Sequence, residues 1–284
     1  MLNNTNNRII IVFAALVIFD ALLWVRIFNG TSGNLQEFFL NVGQGDSHLI
    51  NLPSGVQVLI DGGPDGRVLG ELSKVLASTD RYIDLVMLTH ADLDHIGGLP
   101  DVLKRYRVGA FIFNGRSGEN STWQELVRVL EDRNIPIVVV QEGDKIINGN
   151  DELKILSPGK DIMWSAAPND ACIVSELVSK NSKTLFACDI AFTTENYILE
   201  KYDLNADILK VAHHGSKFAT SKEFLAEVTP NISVIQVGKN RYGHPTANVL
   251  DNLKLAGGSF YRNDLDGTVT LEIDGQNIKV IPLK

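Results

Sequence analysis

LTHADLDHIGGLP, at residues 88–100, is the segment from which the fold of this chain can be worked out. Its first three residues end the stretch DLVMLTH (84–90), an almost uninterrupted apolar run that is typical of a strand buried on both faces. A helix is expected over 96–105, so the backbone must turn between strand and helix. Such a turn brings nitrogen and oxygen ligands to one point, and a donor set without thiolate suits zinc, manganese or iron. We therefore predict a metal site that begins at His90, Asp92, Asp94 and His95.

Outward from this segment, short apolar runs separated by Gly and Pro turns alternate with helical stretches. Strands are expected at 37–43, 47–52, 56–63, 84–90, 108–114, 136–144, 152–158, 171–178, 183–190, 207–214, 232–238, 267–273 and 277–282. Helices are expected at 67–78, 96–105, 121–133, 193–201, 221–227 and 246–255. The strands form two clusters with helices between them. This order predicts an α/β fold in which two sheets pack face to face with helices outside, an αββα sandwich.

Five of the six histidines fall in three short segments beside Asp, Gly or Ser, which indicates a shared site. His213 and His214 follow the strand expected at 207–214. Successive side chains at a strand end point in opposite directions, so only one of the two should bind metal. We favour His213 as the ligand and expect His214 to face the substrate. Lys217 and His244 are expected near the reacting group, with a surface-loop role as the alternative, and His48 is expected to be structural.

The segment HADLDH, residues 90–95, resembles the H-x-[HD]-x-D-H signature of the metallo-β-lactamase superfamily and is called the first metal segment below. The stretches NVGQGDSHLI, VLIDGG, ADILKVAHHGSKFATS, VGKNRYGHP and YRNDLDG are similar, in order, to segments of the hydrolase domain of ComEC-type competence proteins. The resemblance covers roughly residues 36–273. In that family the domain is attached to a DNA-translocating membrane channel and looks like a nuclease for the incoming strand. Only the hydrolase part is matched, so translocation is not implied.

The resemblance also suggests roles for single residues. Asp92 stands where the commoner form of the signature has its second histidine, and this harder oxygen ligand makes manganese a rival to zinc. Asp189 matches the aspartate that bridges two metal ions, with a simple turn residue as the alternative. Asp61 matches an aspartate that holds a ligand histidine by its other N–H, although a plain turn acid is an equal alternative.

The superfamily's mid-chain ligand histidine has no counterpart, because no histidine lies between His95 and His213. The stretch Asn169-Asp170-Ala171-Cys172 stands there instead, with cysteine where the family usually has serine. The expected content is therefore one or two ions of Zn²⁺ or Mn²⁺. Cys172 and Cys188 themselves are expected to be small buried residues on neighbouring strands, bridged only if the domain lies in an oxidising compartment.

The expected reaction is hydrolysis of a phosphodiester by water that the metal activates. Asp94 would orient this water and take its proton, while His214, His244 and Lys217 would offset the charge on the phosphoryl oxygens. Single-stranded DNA is the first substrate to consider. The net charge of −8 gives no global basic surface, but residues 205–262 hold seven Lys and Arg against four Asp and Glu, a local balance of +3.

Two other functions remain open from the sequence. One is a hydrolase of the same superfamily that acts on a cell-wall phosphodiester or a lactone. The other is a non-catalytic DNA-binding subunit of a DNA-uptake machine, which would bind DNA without needing the metal ligands. The sequence does not indicate an oligomeric state.

The first residues differ in composition from the rest of the chain. IIIVFAALVIFDALLWV (9–25) lies between two arginines and contains one charged residue, Asp20, which predicts a single transmembrane helix. A buried helix of a cytoplasmic enzyme is the alternative. With the Gly/Ser/Asn linker at 29–34, the expected organisation is a membrane anchor over 1–32 and a hydrolase domain over 33–284. We expect the hydrolase domain outside the cytoplasm, next to a partner channel.

Overall fold

The computed structural model describes residues 4–29, 33–165, 167–180, 182–275 and 277–283. Residues 30–32 of the predicted linker at 29–34 lie outside these ranges. The helices, in chain order, are α1 (Asn4–Asn29), α2 (Arg67–Val75), α3 (Leu93–Ile96), α4 (Leu99–Arg105), α5 (Ser121–Asp132), α6 (Phe192–Leu199), α7 (Lys222–Val228), α8 (Ala247–Ala256) and α9 (Asn263–Asp266).

The strands begin and end, in chain order, as follows: β1 (Leu35–Phe39), β2 (His48–Asn51), β3 (Gln57–Ile60), β4 (Tyr82–Leu88), β5 (Arg107–Phe113), β6 (Ile137–Val139), β7 (Lys145–Asn148), β8 (Asp151–Ser157), β9 (Val174–Ser179), β10 (Ser182–Phe186), β11 (Ile208–Lys210), β12 (Ile232–Ile235), β13 (Ser259–Arg262), β14 (Thr268–Asp274) and β15 (Asn277–Leu283). They form two sheets. The first has the order β15-β14-β1-β2-β3-β4-β5-β6 and the second β13-β12-β11-β10-β9-β8-β7.

The two sheets pack face to face over a central apolar layer, to which Phe39 and Met87 contribute from the first sheet and Phe186 and Val234 from the second. A second cluster fills the space between the first sheet and α2, α4 and α5. A third lies between the second sheet and α6, α7 and α8. Helix, sheet, sheet and helix layers follow one another, so the predicted αββα sandwich is confirmed.

Several expected elements have different bounds in the structure. The helix expected over 96–105 begins later, at Leu99 of α4, and the short helix α3, which was not predicted, ends just before Gly97 and Gly98. A Cβ atom on Gly97 would lie 2.0 Å from the carbonyl oxygen of Pro64, and one on Gly98 would lie 2.3 Å from that of Gly62. This close packing of backbone on backbone breaks the helix. The strand expected over 136–144 is the shorter β6, and β7 and β13 were not predicted.

Helix α1 covers the segment expected to span a membrane. Its apolar side chains are largely exposed, as at Ile11 and Phe13. Among the residues that the structure describes, however, no helix is both long and apolar enough to cross a membrane, so the predicted span over 9–25 is not confirmed.

His48 is buried between two aromatic rings, as its expected structural role requires. Its ring centroid lies 4.1 Å from that of Phe39 and 4.7 Å from that of Phe186. Burial lowers the pKa of His48 to about 3, so its imidazole is neutral. It is therefore part of the packing between the sheets.

Candidate metal centre

Three strand ends carry the candidate site. β4 leads to His90 and to the turn before α3, β10 leads to Asp189, and β11 leads to the turn Ala212–Gly215. β10 and β11 are parallel, so their carboxyl ends lie at the same edge of the second sheet. β4 delivers its residues from the first sheet. The site therefore lies where the two sheets meet at one edge of the sandwich.

Four side chains converge at this edge. Single ligand atoms of Asp94, His95, Asp189 and His214 all lie within 4.8 Å of one another. The Nε2 atom of His214 lies 3.2 Å from Asp94 Oδ2 and 3.2 Å from Asp189 Oδ2. The Nε2 atom of His95 lies 3.3 Å from the same oxygen of Asp189. The geometry brings together three predicted ligands and His214.

Two observations show that this cluster fits a divalent cation. The Nε2 atom of His95 is buried and has no hydrogen-bond partner among the described residues. Although burial opposes charge on His95 and His214, the carboxylates beside them raise the pKa of both imidazoles well above the usual value. The surroundings thus favour positive charge at this point. With two nitrogen and two carboxylate ligands, the cluster suits Zn²⁺ or Mn²⁺.

The histidines of the cluster also contact other buried side chains through their second ring nitrogen. Asp61 Oδ2 lies 2.7 Å from the Nδ1 atom of His95. Asp61 is fixed in turn by Thr89, whose backbone N–H and hydroxyl donate to its two oxygens at 2.8 and 2.7 Å. The expected role of Asp61 as the partner of a ligand histidine is thus the one that its contacts favour. Such partners fix the ring orientation of a metal-binding histidine.

Asp46 and Lys210 complete this support, although neither was predicted to have a role. Asp46 Oδ1 lies 3.2 Å from the Nδ1 atom of His214. The buried ammonium of Lys210 contacts Asp46 and lies 3.5 Å from Asp189 Oδ1. Asp189 therefore has one oxygen on Lys210 and the other on the histidines. A signal for Lys210 was available, because a lysine inside an apolar strand is rarely buried unless it is paired.

Near His90 the structure places fewer ligands. The Nε2 atom of His90 lies 3.6 Å from Asp92 Oδ2, is buried and has no hydrogen-bond partner among the described residues. The turn Pro168–Ala171, which replaces the missing histidine, points Asp170 to Ser165 instead, with Ser165 Oγ 2.7 Å from Asp170 Oδ2. A cavity of about 400 Å³ opens beside His90 and Asp92. This second position is thus less complete than the four-residue cluster.

The two adjacent histidines have the opposite placement to the one expected. His214 is buried in the cluster, whereas the side chain of His213 is 28% exposed and its Nε2 atom lies 3.9 Å from Asp189 Oδ2. The expectation assumed that the strand continues to residue 214, but β11 ends at Lys210. His213 and His214 both have positive φ, 49° and 52°. In this turn the alternation of a strand no longer decides which ring faces the metal.

The two other residues expected near the substrate differ in position. The ring of His244 lies 5.8 Å from that of His213, so His213 stands between it and Asp189 of the cluster. Lys217 is exposed, and its ammonium lies over the ring of Phe218, 4.9 Å from the centroid. No contact among the described residues connects Lys217 to the cluster.

The αββα sandwich and the cluster at its edge are those of a metallo-β-lactamase-type protein. The family model for the metallo-beta-lactamase superfamily matches residues 40–239, and the chain belongs to that superfamily. Its members are generally metal-dependent hydrolases, and the fold binds divalent metals, often zinc.

Within the superfamily, the chain resembles competence proteins. It is 29% identical to ComE operon protein 3 of Bacillus subtilis over 251 residues, which are 81% of this chain and 32% of that protein. It is 24% identical to competence protein ComA of Neisseria gonorrhoeae over 247 residues, 86% of this chain and 33% of that protein. The chain thus spans about a third of the length of these relatives. The structure of YhfI from Bacillus subtilis, at 12% identity, covers 84% of this chain and 99% of that protein with a TM-score of 0.55, which supports the fold.

Proposed function

We propose that this protein is a metal-dependent phosphodiesterase that cuts single-stranded DNA. The observation that carries the proposal is the convergence of Asp94, His95, Asp189 and His214 within 4.8 Å, together with an unpartnered imidazole nitrogen of His95. A bound divalent cation would supply a Lewis acid for water and for the phosphoryl group. We assign these four residues as its ligands, with His90 and Asp92 at a second position.

Exposure to solvent and distance from the cluster suggest roles for Asp94, His213 and His244. Asp94 is the ligand that solvent reaches most, with 34% of its side chain exposed, compared with 4% for Asp189. We therefore propose that Asp94 orients the attacking water and accepts its proton. His213 lies next to Asp189, and His244 lies next to His213. We propose that their N–H groups donate to phosphoryl oxygens as negative charge develops there. His213 thereby takes the substrate-facing role that the sequence suggested for His214.

Single-stranded DNA is proposed because exposed aromatic and basic residues adjoin His214 and His244 along the chain. Phe218 and Tyr242 are 59% and 62% exposed. The Lys217 ammonium lies over the first ring, and the Arg241 guanidinium lies 5.8 Å from the centroid of the second. Exposed rings stack on unpaired bases, while neighbouring cations bind the backbone. Lys217 then contacts the DNA strand rather than the reacting phosphate. The names of the relatives support a role in DNA uptake.

We also propose a cellular location and a partner for this protein. Because the relatives that the chain resembles are competence proteins, we propose that it acts beside a DNA-uptake channel. The exposed apolar side chains of α1 favour attachment to the cell membrane, with residues 33–284 outside the cytoplasm. Fractionation of cells, followed by protease treatment of intact cells, tests both points. Recovery of the whole protein in the soluble fraction would contradict the attachment.

A side-by-side assay tests the reaction itself. Purified protein is incubated with labelled single-stranded DNA, bis(p-nitrophenyl) phosphate, a lactone and nitrocefin, each with and without chelator. We expect cleavage of the first two substrates, loss of cleavage with chelator or with Asp189→Asn, and full activity in Asp251→Asn, an exposed control. Turnover of the lactone alone would indicate another hydrolase of the superfamily. DNA binding without cleavage, unchanged in Asp189→Asn, would indicate a non-catalytic subunit.

A further inference from the structure

The two cysteines of the chain lie directly against the metal centre. Cys172 and Cys188 form a disulfide, with their Cα atoms 6.4 Å apart. Both side chains are buried. The Sγ atom of Cys188 lies 3.6 Å from the Nδ1 atom of His90, and the backbone N–H of Asp189 donates to Cys172 Sγ at 3.2 Å. The bridge thus touches the first metal segment and immediately precedes the ligand Asp189.

Cys188 also belongs to a second group of potential ligands. One ligand atom each of His90, His95 and Cys188 lies within 4.8 Å of the others, and all three residues are buried. Zinc bonds to nitrogen and sulfur, of about 2.0 and 2.3 Å, place the two ligand atoms roughly 3.6 Å apart at a tetrahedral angle. The separation of His90 Nδ1 and Cys188 Sγ matches this value. Sulfur in the disulfide is not available as a thiolate, so only the reduced form offers this ligand.

We propose that the Cys172–Cys188 pair selects between two metal-binding modes. In the disulfide state the cation has only the nitrogen and oxygen ligands of the proposed centre. In the dithiol state Cys188 joins His90 and His95 as a thiolate ligand, and the thiol proton that the cation replaces leaves to solvent. Both modes use His95, so the oxidation state of the pair decides which one is occupied. Because thiolate is a soft ligand, the reduced form prefers zinc to manganese.

Interconversion of the two states follows ordinary thiol–disulfide exchange. Forming the S–S bond removes two protons and two electrons from the two thiols, and a small-molecule disulfide accepts them and becomes two thiols. A dithiol or a phosphine reverses the step. The burial of both sulfur atoms makes this exchange slow in the folded protein, since it requires local opening.

The inference rests on the proposed metal centre but not on its substrate. Titration with cobalt distinguishes a failure of the inference from a failure of the metal centre. Co²⁺ is titrated into the oxidised wild-type protein, Cys172→Ser and Cys172→Ser/Cys188→Ser. Cys172→Ser frees Cys188 without any reductant, and the double variant is its matched control. A cobalt–thiolate bond gives a strong near-ultraviolet charge-transfer band, whereas nitrogen and oxygen ligands give only weak visible bands.

We expect the charge-transfer band in Cys172→Ser alone, with weak visible bands in all three proteins. We also expect the ratio of zinc to manganese affinity to be at least about tenfold higher in Cys172→Ser than in the oxidised wild type. Cobalt binding without a charge-transfer band in Cys172→Ser, or a band that persists in the double variant, would overturn the inference and leave the metal centre standing. No cobalt binding in any of the three would overturn both.

Discussion

Replacing Glu37 by glutamine should make the stability of this protein much less dependent on pH. Glu37 lies on β1, is fully buried, and accepts a hydrogen bond from the Thr184 hydroxyl at 2.6 Å. Burial raises the pKa of its carboxyl from 4.5 to about 8, although the bond from Thr184 acts in the opposite direction. His48 lies 3.6 Å from its other oxygen but is neutral, so no cation offsets a charge on Glu37.

The direction of the effect follows from proton binding. Between the ordinary pKa of 4.5 and the folded value of about 8, the folded protein keeps a proton on Glu37 that the unfolded chain loses. The unfolded state binds fewer protons in this range, so the free energy of unfolding falls as the pH rises. One pKa unit corresponds to about 1.4 kcal/mol, so this group costs the wild type about 3 kcal/mol between pH 5 and pH 8.

Glutamine at this position stays neutral, and its amide oxygen can still accept the Thr184 hydroxyl. Urea unfolding at pH 5 and pH 8 measures the effect. The difference in unfolding free energy between Glu37→Gln and wild type should shift in favour of the variant by about 3 kcal/mol over this range. Glu272→Gln, on the adjacent strand β14, removes the same charge from a side chain that is 35% exposed and serves as the control. A difference that is the same at both pH values would refute the reasoning.

Three further predictions concern the metal centre. His214→Ala should lower Mn²⁺ affinity by more than about tenfold in calorimetric titration. His213→Ala should keep the Mn²⁺ affinity but lose turnover. The reverse pattern would contradict the ligand assignment. Lys210→Met should lower Mn²⁺ affinity by about 10- to 100-fold because Asp189 loses the cation that holds one of its oxygens, whereas Lys154→Met, which breaks an ion pair away from the site, should not. Equal effects of the two lysine variants would mean that Lys210 is only structural. Chelator should lower the melting temperature, since a cation at 100 times its Kd stabilises the folded state by about 2.7 kcal/mol; an unchanged melting curve would count against a resident ion.

The layered fold was predictable because each layer has its own sequence pattern. β4 is apolar except for Asp84, and α5 matches the predicted helix to within one residue at its end. The hairpin of β14 and β15 follows from the turn residues between them. Elements without a strong pattern were missed. β7 is a short edge strand with the exposed Ile147, and β13 is held mainly by pairing with β12, which local sequence does not reveal.

At the site, the residues that converge could be predicted better than the side chains that contact them. The histidine and aspartate clusters are local patterns, so Asp94, His95 and Asp189 could be singled out as candidates, and their role as ligands stays a prediction. The support by Asp46 and Lys210 depends on contacts between residues more than 160 positions apart, as the Lys210–Asp46 pair shows. The choice between His213 and His214 depends on a turn with positive φ at non-glycine residues, which no local rule predicted.

Metal analysis of the intact protein shows directly whether the cluster of Asp94, His95, Asp189 and His214 binds a divalent cation. The wild-type protein and His95→Ala are dialysed against Mn²⁺ or Zn²⁺, and bound metal is counted per chain by mass spectrometry. Because the buried Nε2 atom of His95 has no hydrogen-bond partner in the described part of the chain and faces Asp189, we expect at least one ion per wild-type chain. In His95→Ala we expect much less. Wild-type protein that binds neither metal would contradict the account.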